Sequence, residues 1–449
     1  ACINCLENEE DCYLPQCVTA DGFEKGILTV NRRIPGPSIQ CPILEDTAFR
    51  YDFIADTAGT MFCMTLHQVN GLQGSLIVRL PKKYEPHDSL YDFDLPAHHL
   101  LIMDWYHTEP ETRMPGILHH DTTQLTTYYL LNGRGRYKFS NGTSSATPLH
   151  VFQVKQGKRY RFRVIGAVST HCPAVVQIEK HKLLMIASDG SPFKPILVDS
   201  FTIFSGERYD FILSANAEPG TYWIQVKSVE NCFKNDVYEM AILQYETSMD
   251  KTPKTPILKN LQLGNTILNS INSPCNEKNY QSEPDFNFEF VFGFHIATKE
   301  ELFWSGNYPH FLQITPTIST IPHINNIQFI TPASPLQSQY DDIPVDKFCL
   351  NGTDGLPACP FVIIDKANFG TTENHAFHLH GHTFNVIATG NLPDNLLNAK
   401  DITELMETKK IPISASPVFK DTLAVPSRGY AVVRFIANNP GNKPTNKLQ

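Results

Sequence analysis

Residues 158–167 read KRYRFRVIGA. Successive side chains of a β-strand point to opposite faces. The alternation therefore places Tyr160, Phe162 and Val164 on one face and Arg159, Arg161 and Arg163 on the other. Short apolar runs recur on both sides: GSLIVRL (74–80), HHLLIMDWYH (98–107), HKLLMIASDG (181–190), DSFTIFSGERYDFILSA (199–215), GTYWIQVKS (220–228) and GYAVVRFIA (429–437). Val, Ile, Tyr and Phe cluster in short runs, Gly, Pro, Asn and Asp separate them, and helix-period patterns are scarce. With 32 prolines, the chain reads as many short strands, hence an all-β protein of sandwiches or barrels.

At roughly 100–200 residues per domain, 449 residues suit about two to four domains. Proline, charge and turn residues at 81–96 read as a linker, and the Asn-, Ser- and Pro-rich stretch 246–290 as an interdomain crossing. The reading is three β domains of unequal size, over residues 21–85, 86–245 and 246–449, after a cysteine-rich segment at 1–20.

Hydrophobic residues make up 41% and charged residues 18%, enough apolar content for a sizeable core. A net charge of −9 with no basic stripe argues against nucleic acid as a partner. No run of about 18 apolar residues suits a transmembrane helix. The chain starts at Ala1 rather than Met, which a removed signal peptide would explain. Cysteine usage points the same way. Cys2, Cys5, Cys12 and Cys17 crowd the N-terminus without a nearby histidine, which favours disulfides over a zinc knuckle. With Cys172, Cys232, Cys349 and Cys359 they form the disulfide candidates. The count of 11 leaves at least one thiol unpaired or bridging outward, and the pairing of Cys41, Cys63 and Cys275 stays open. The sequons at Asn141 and Asn351 are candidate glycosylation sites. The expectation is a secreted, extracellular glycoprotein.

The stretch ENHAFHLHGHTFNVIATG (373–390) puts His375, His378, His380 and His382 within eight positions. On a strand, alternate residues share a face with Cα atoms about 6.6 Å apart, so His378, His380 and His382 could converge on a metal ion. The competing reading is a set of imidazoles hydrogen-bonded within the domain core. His98, His99 and His107 read as structural, His119 and His120 as surface residues beside Asp121, and Asp189 and Glu207 as turn or capping residues. There is no Gly-rich phosphate loop and no G-x-S-x-G elbow.

Several stretches together resemble the multicopper oxidases, and in particular the insect laccases: VNRRIPGPSI (30–39), LLNGRGRY (130–137), ASDGSPFKPILVDSFTIFSGERYDF (187–211), PHINNIQF (322–329), HAFHLHGHTFNVIATG (375–390) and KDTLAVPSRGYAVVRFIANNPG (420–441). The cysteine-rich leader also resembles the insect branch. The resemblance implies three cupredoxin-like Greek-key β-sandwich domains, the first truncated here. It also implies one-electron oxidation of phenols or metal ions with reduction of dioxygen to water. That chemistry uses four coppers: a type 1 site held by two His and one Cys, and a trinuclear cluster held by four His-x-His pairs.

Matched residue by residue, the ligand set is incomplete. The first His pair would follow the GPSI turn, but Gln40 runs directly into CPILEDTAFRYDF. The second would follow AGT, where Met64 and Leu66 stand instead. His67 is one place off, and one place along a strand is the opposite face. The third pair matches His378 and His380, and His375 matches a type 1 ligand. The fourth pair and the type 1 cysteine would follow NNPG, where this sequence reads NNPGNKPTNKLQ. In some relatives the cysteine matching Cys41 pairs with one near that end.

The expected protein has therefore lost phenol oxidation and acts in binding, structure or carriage, with no catalytic residues, and with either no cofactor or residual copper at His375, His378 and His380. The cavity left by copper would be filled by Met64 and Leu66 or by a small ligand. A shortened first domain exposes strand edges, so self-association or a heteromeric partner is expected to cover it. One alternative is an active oxidase completed by residues outside this sequence or by a partner chain. Another is a mononuclear copper or zinc protein.

Overall fold

The computed structural model describes residues 57–62, 74–106, 128–139, 141–168, 172–229, 237–255, 288–296, 320–325, 360–365, 374–391, 404–405, 408, 410–411, 414 and 417–436. The protein is all-β, as its alternating pattern requires. No described helix is long and apolar enough to cross a membrane.

Two strands represent the first group, β1 (Gly59–Phe62) and β2 (Ser75–Val78), paired antiparallel. The middle group contains β3 (His99–Trp105), β4 (Tyr128–Leu131), β5 (Val151–Val154), β6 (Arg159–Ala167), β7 (Ala174–Ile178), β8 (Leu183–Ser188), β9 (Ser191–Val198), β10 (Ser200–Ile203), β11 (Arg208–Ser214), β12 (Thr221–Ser228) and β13 (Tyr238–Tyr245). These form a six-stranded sheet in the order β4-β3-β6-β11-β8-β9 and a five-stranded sheet in the order β10-β7-β12-β13-β5. In the last group, β14 (Phe288–Ile296), β15 (Thr320–Ile324), β16 (Pro360–Asp365), β18 (Phe384–Asn391), β19 (Phe419–Lys420) and β21 (Gly429–Arg434) form a second six-stranded sheet. Beside it β17 (His375–His378) pairs antiparallel with β20 (Thr422–Val425).

The alternation in β6 places its side chains as read. Tyr160, Phe162 and Val164 are buried in the apolar core shared by the two middle sheets. Phe162 lies directly across from Phe211 on β11, their rings stacked with centroids 5.2 Å apart. Burying such a phenyl ring stabilises the fold by about 1.5–3 kcal/mol. The same apolar cluster continues into the last group through Phe384, Leu423, Val425 and Val433, so the two groups share one core.

The arginine face of β6 is also covered. Arg161 bonds Asp210 and Glu85, and Arg163 bonds Asp210 and Asp94; both arginines are buried. Arg159 bonds Asp92 at the exposed rim. The carboxylates of Glu85, Asp92 and Asp94 come from the stretch that reads as a linker. This stretch is an ordered strap of 3-10 turns at Lys82–Tyr84, Asp88–Leu90 and Pro96–His98, with Phe93 stacked on Tyr160. Its polar residues belong to it because they neutralise the arginines.

The first group meets the middle group at two glycines. A Cβ on Gly59, whose φ is +137°, would fall 2.3 Å from Gly190 Cα. Only glycine permits that backbone approach. It brings Thr60 onto the arginine face, where its hydroxyl donates to Asp210 Oδ1 at 2.7 Å and accepts from Arg163 at 2.9 Å.

Candidate metal centre

The histidine stretch divides at its strand end. His375 opens β17, opposite Val425, and is buried with its ring 5.0 Å from Phe292 and 5.9 Å from Phe294. His378 closes β17 on the other face, opposite Thr422. Gly381, at φ +76°, then turns the chain. The period of two therefore does not continue through His380 and His382, which leaves the two readings of the stretch, a shared ion or core imidazoles, to the individual contacts. His378 and His380 do meet, edge to face, with centroids 4.8 Å apart. His382 packs on Phe435 at 5.1 Å, and its buried Nε2 has no hydrogen-bond partner among the described residues.

His378 has a defined hydrogen-bonding state. Its Nδ1 lies 2.8 Å from the Asp421 carbonyl oxygen and 2.9 Å from Thr422 Oγ1. A carbonyl only accepts, so Nδ1 carries a proton, and in a neutral ring the lone pair is then on Nε2. Metal-bound imidazoles use this same outer contact to fix tautomer and orientation. The His378 side chain is exposed.

The strand that orients His378 rests on buried charges. Arg208 grips Asp421 with two bonds of 2.6 Å. Burial would raise the Asp421 carboxyl, but the charge and bonds of Arg208 outweigh it and hold the group well below the usual carboxylate range. Next to it, the fully buried Lys420 ammonium lies 2.6 Å from Ser188 Oγ, 3.2 Å from Tyr209 OH, 3.3 Å from Asp189 Oδ2 and 3.2 Å from Glu207 Oε1. Burial opposes its charge, but the two carboxylates prevail and raise its pKa. Asp189 and Glu207 do sit at turns, Glu207 accepting the Phe204 N–H at 3.0 Å. Their larger role is as counter-ions to Lys420, and nothing in the local sequence marks this.

Other sites can be placed more briefly. His98 is buried against Tyr160 and Phe162, and its Nε2–H donates to the Gln153 carbonyl, a structural role. Burial brings His99 down to about 4. Asn141 is exposed in a turn where its Oδ1 accepts from the N–H and hydroxyl of Thr143. Cys172 is buried and disulfide-bonded. Met64, Leu66, His67, His107, His119, His120, Asn351 and the other cysteines lie outside the described residues.

Two stretches, residues 97–248 and 359–443, match the Multicopper oxidase family models and together span more than half the chain. Laccase-5 of Trametes villosa is 31% identical over 412 residues, covering 90% of this chain and 70% of the relative. The chain belongs to the multicopper oxidase family. Laccase-3 of Thanatephorus cucumeris is 29% identical, over 81% of this chain and 70% of its own length. Among solved structures, the laccase from Botrytis aclada superposes with a TM-score of 0.64 at 21% identity, covering 90% of this chain and 70% of that one. Fet3p, a multicopper oxidase that functions in iron import, gives 0.61 at 18% identity, with coverages of 86% and 68%. These superpositions establish the fold as cupredoxin-like.

Copper is the metal this family implies, and imidazole suits it. His378 and His380 fit a copper ion in kind, through a lone pair on His378 Nε2 and an adjacent second imidazole. Among the described residues, no group of three or more His, Cys, Asp or Glu could hold a metal ion.

Proposed function

We propose that this multicopper oxidase family member has an incomplete copper set, has lost phenol oxidation, and serves as a secreted binding, structural or carrier protein. Met64 and Leu66 carry this reading. They stand inside a continuous stretch, in register with AGT, where the family's second His pair belongs. Leu66 has no donor atom, and a single Met64 thioether does not replace the two imidazoles of a His-x-His pair. The direct junction of Gln40 to Cys41 supports the same conclusion, and the cysteine-rich leader supports an insect-type branch. The exposed Asn141 turn supports glycosylation in an extracellular setting.

One observation favours a second reading, a mononuclear copper or zinc site. His378 already holds the tautomer that a metal would select. Copper, when bound there, would supply a one-electron couple.

Elemental mass spectrometry on native protein tests both readings, with the visible spectrum taken on the same sample. The first expects near-zero copper and no blue thiolate–copper band. One colourless metal per chain replaces it with the second. A full complement of four coppers with a blue band overturns both and restores the oxidase, with ligands from outside this sequence. Intact mass before and after glycosidase treatment tests the extracellular setting; an unchanged mass rejects glycosylation at Asn141.

A further inference from the structure

We propose that Arg208 is a positioning residue that joins all three strand groups and sets the tautomer and orientation of His378. The guanidinium spans them directly. Its Nε donates to the Thr60 carbonyl on β1 at 3.1 Å, its Nη1 to the Gly206 carbonyl at 3.0 Å, and its fork to both oxygens of Asp421. The fork matters because a planar two-bond grip fixes direction as well as distance.

Asp421 is thereby held on every side. Its N–H donates to Asp189 Oδ2 at 3.3 Å, and the N–H of Thr422 donates to the same oxygen at 3.2 Å. Its Oδ1 accepts the Thr422 hydroxyl at 2.8 Å. With its N–H, its side chain and its neighbour all fixed, the carbonyl can point one way only. It accepts the Leu379 N–H at 3.0 Å and the His378 Nδ1–H at 2.8 Å. The Thr422 hydroxyl spends its proton on Asp421, so its oxygen is left to accept from the same Nδ1–H. Both neighbours of Nδ1 are therefore acceptors, and in the neutral ring Nε2 is the nitrogen left with the lone pair. Through this chain a middle-group arginine controls a last-group imidazole it never touches. The metal arm of the test rests on the mononuclear reading; the tautomer arm does not.

The test uses the full chain labelled with ¹⁵N-histidine, His378 being assigned by the signal lost in His378→Gln. Arg208→Lys keeps the charge and removes the fork. Asp421→Asn keeps the shape and carries the test if the lysine variant fails to fold. Asn132→Ala is the stability control; its side chain bonds the Leu101 N–H and the His99 carbonyl, away from His378. The expected result is a wild-type His378 with a protonated Nδ1 and a bare Nε2. Both test variants should shift towards a mixture of tautomers, and the control should not. Titration with Zn²⁺ alone should show binding weakened about 10- to 100-fold in the test variants. Variants that unfold more easily but leave the His378 signals unchanged would overturn the proposal and reduce Arg208 to a structural clamp. If wild-type protein binds no Zn²⁺, the mononuclear reading fails while the tautomer comparison still decides the role of Arg208.

Discussion

Replacing Lys420 with methionine is expected to destabilise the protein by about 3–5 kcal/mol, the usual cost of removing one partner from a buried ion cluster. The ammonium is completely buried and faces Asp189 and Glu207, which are buried as well. Arg208 and Asp421 complete the group, so two cations face three carboxylates. Methionine fills much of the same volume, so the loss is electrostatic and not a cavity. It leaves one cation among three carboxylates, two of them buried. Glu207 Oε1 would suffer most, because the ammonium is its near neighbour and it has no hydrogen bond in good geometry among the described residues. Burial already pushes the Glu207 carboxyl up, and Lys420 partly restrains it. Without the lysine it should rise further. A carboxyl raised in the folded state loses stability as pH increases, so the penalty should be smaller near pH 5 than near pH 8. Urea unfolding of both proteins at the two pH values measures this. Glu207→Gln added to Lys420→Met should recover part of the loss, as groups sharing one network are coupled. A loss under about 1 kcal/mol with no pH dependence would show that the cluster relaxes by admitting water.

This cluster also marks where the sequence stops being readable. The β6 alternation is legible because period two is local, and Tyr160, Phe162 and Val164 go where it sends them. The strap at 81–96 is not legible as a packed element. Its proline and charge look like a linker until Arg159, Arg161 and Arg163 supply partners far along the chain. The histidine stretch is half legible. Its strand and His375 come from the pattern, but the strand ends at His378 and the turn at Gly381 redirects the chain before His382. Lys420 gives no local sign of burial at all. Its hydrogen-bond partner Ser188 is 232 residues away, and an isolated Lys-Asp pair reads as solvated surface. What brings them together is the apolar core shared by the middle and last strand groups, a tertiary fact with no period to detect.

A second buried carboxyl should impose a pH dependence that its removal relieves. Glu239 on β13 is buried; its Oε2 accepts the Arg136 N–H at 2.6 Å and its Oε1 accepts the Met240 N–H at 2.9 Å. Burial pushes it up to about 7, and the two N–H groups and the charges of Arg136 and Lys138 restrain it only in part. Below about pH 4.5, the ordinary value, folded and unfolded chains both hold the proton and the shift has no effect on stability. Between that pH and about 7 the unfolded chain releases its proton and the folded chain retains it, so stability falls as pH rises. The shift corresponds to about 3 kcal/mol, fully expressed above pH 7. Glu239→Gln has no proton to exchange. Relative to wild type it should therefore gain about 3 kcal/mol between pH 4.5 and pH 8, whatever its offset at the acid end. Urea midpoints at pH 4.5, 6 and 8 give the two profiles directly. Parallel profiles would mean that the Glu239 carboxyl ionises as readily folded as unfolded, with the Arg136 and Met240 N–H groups compensating its burial in full.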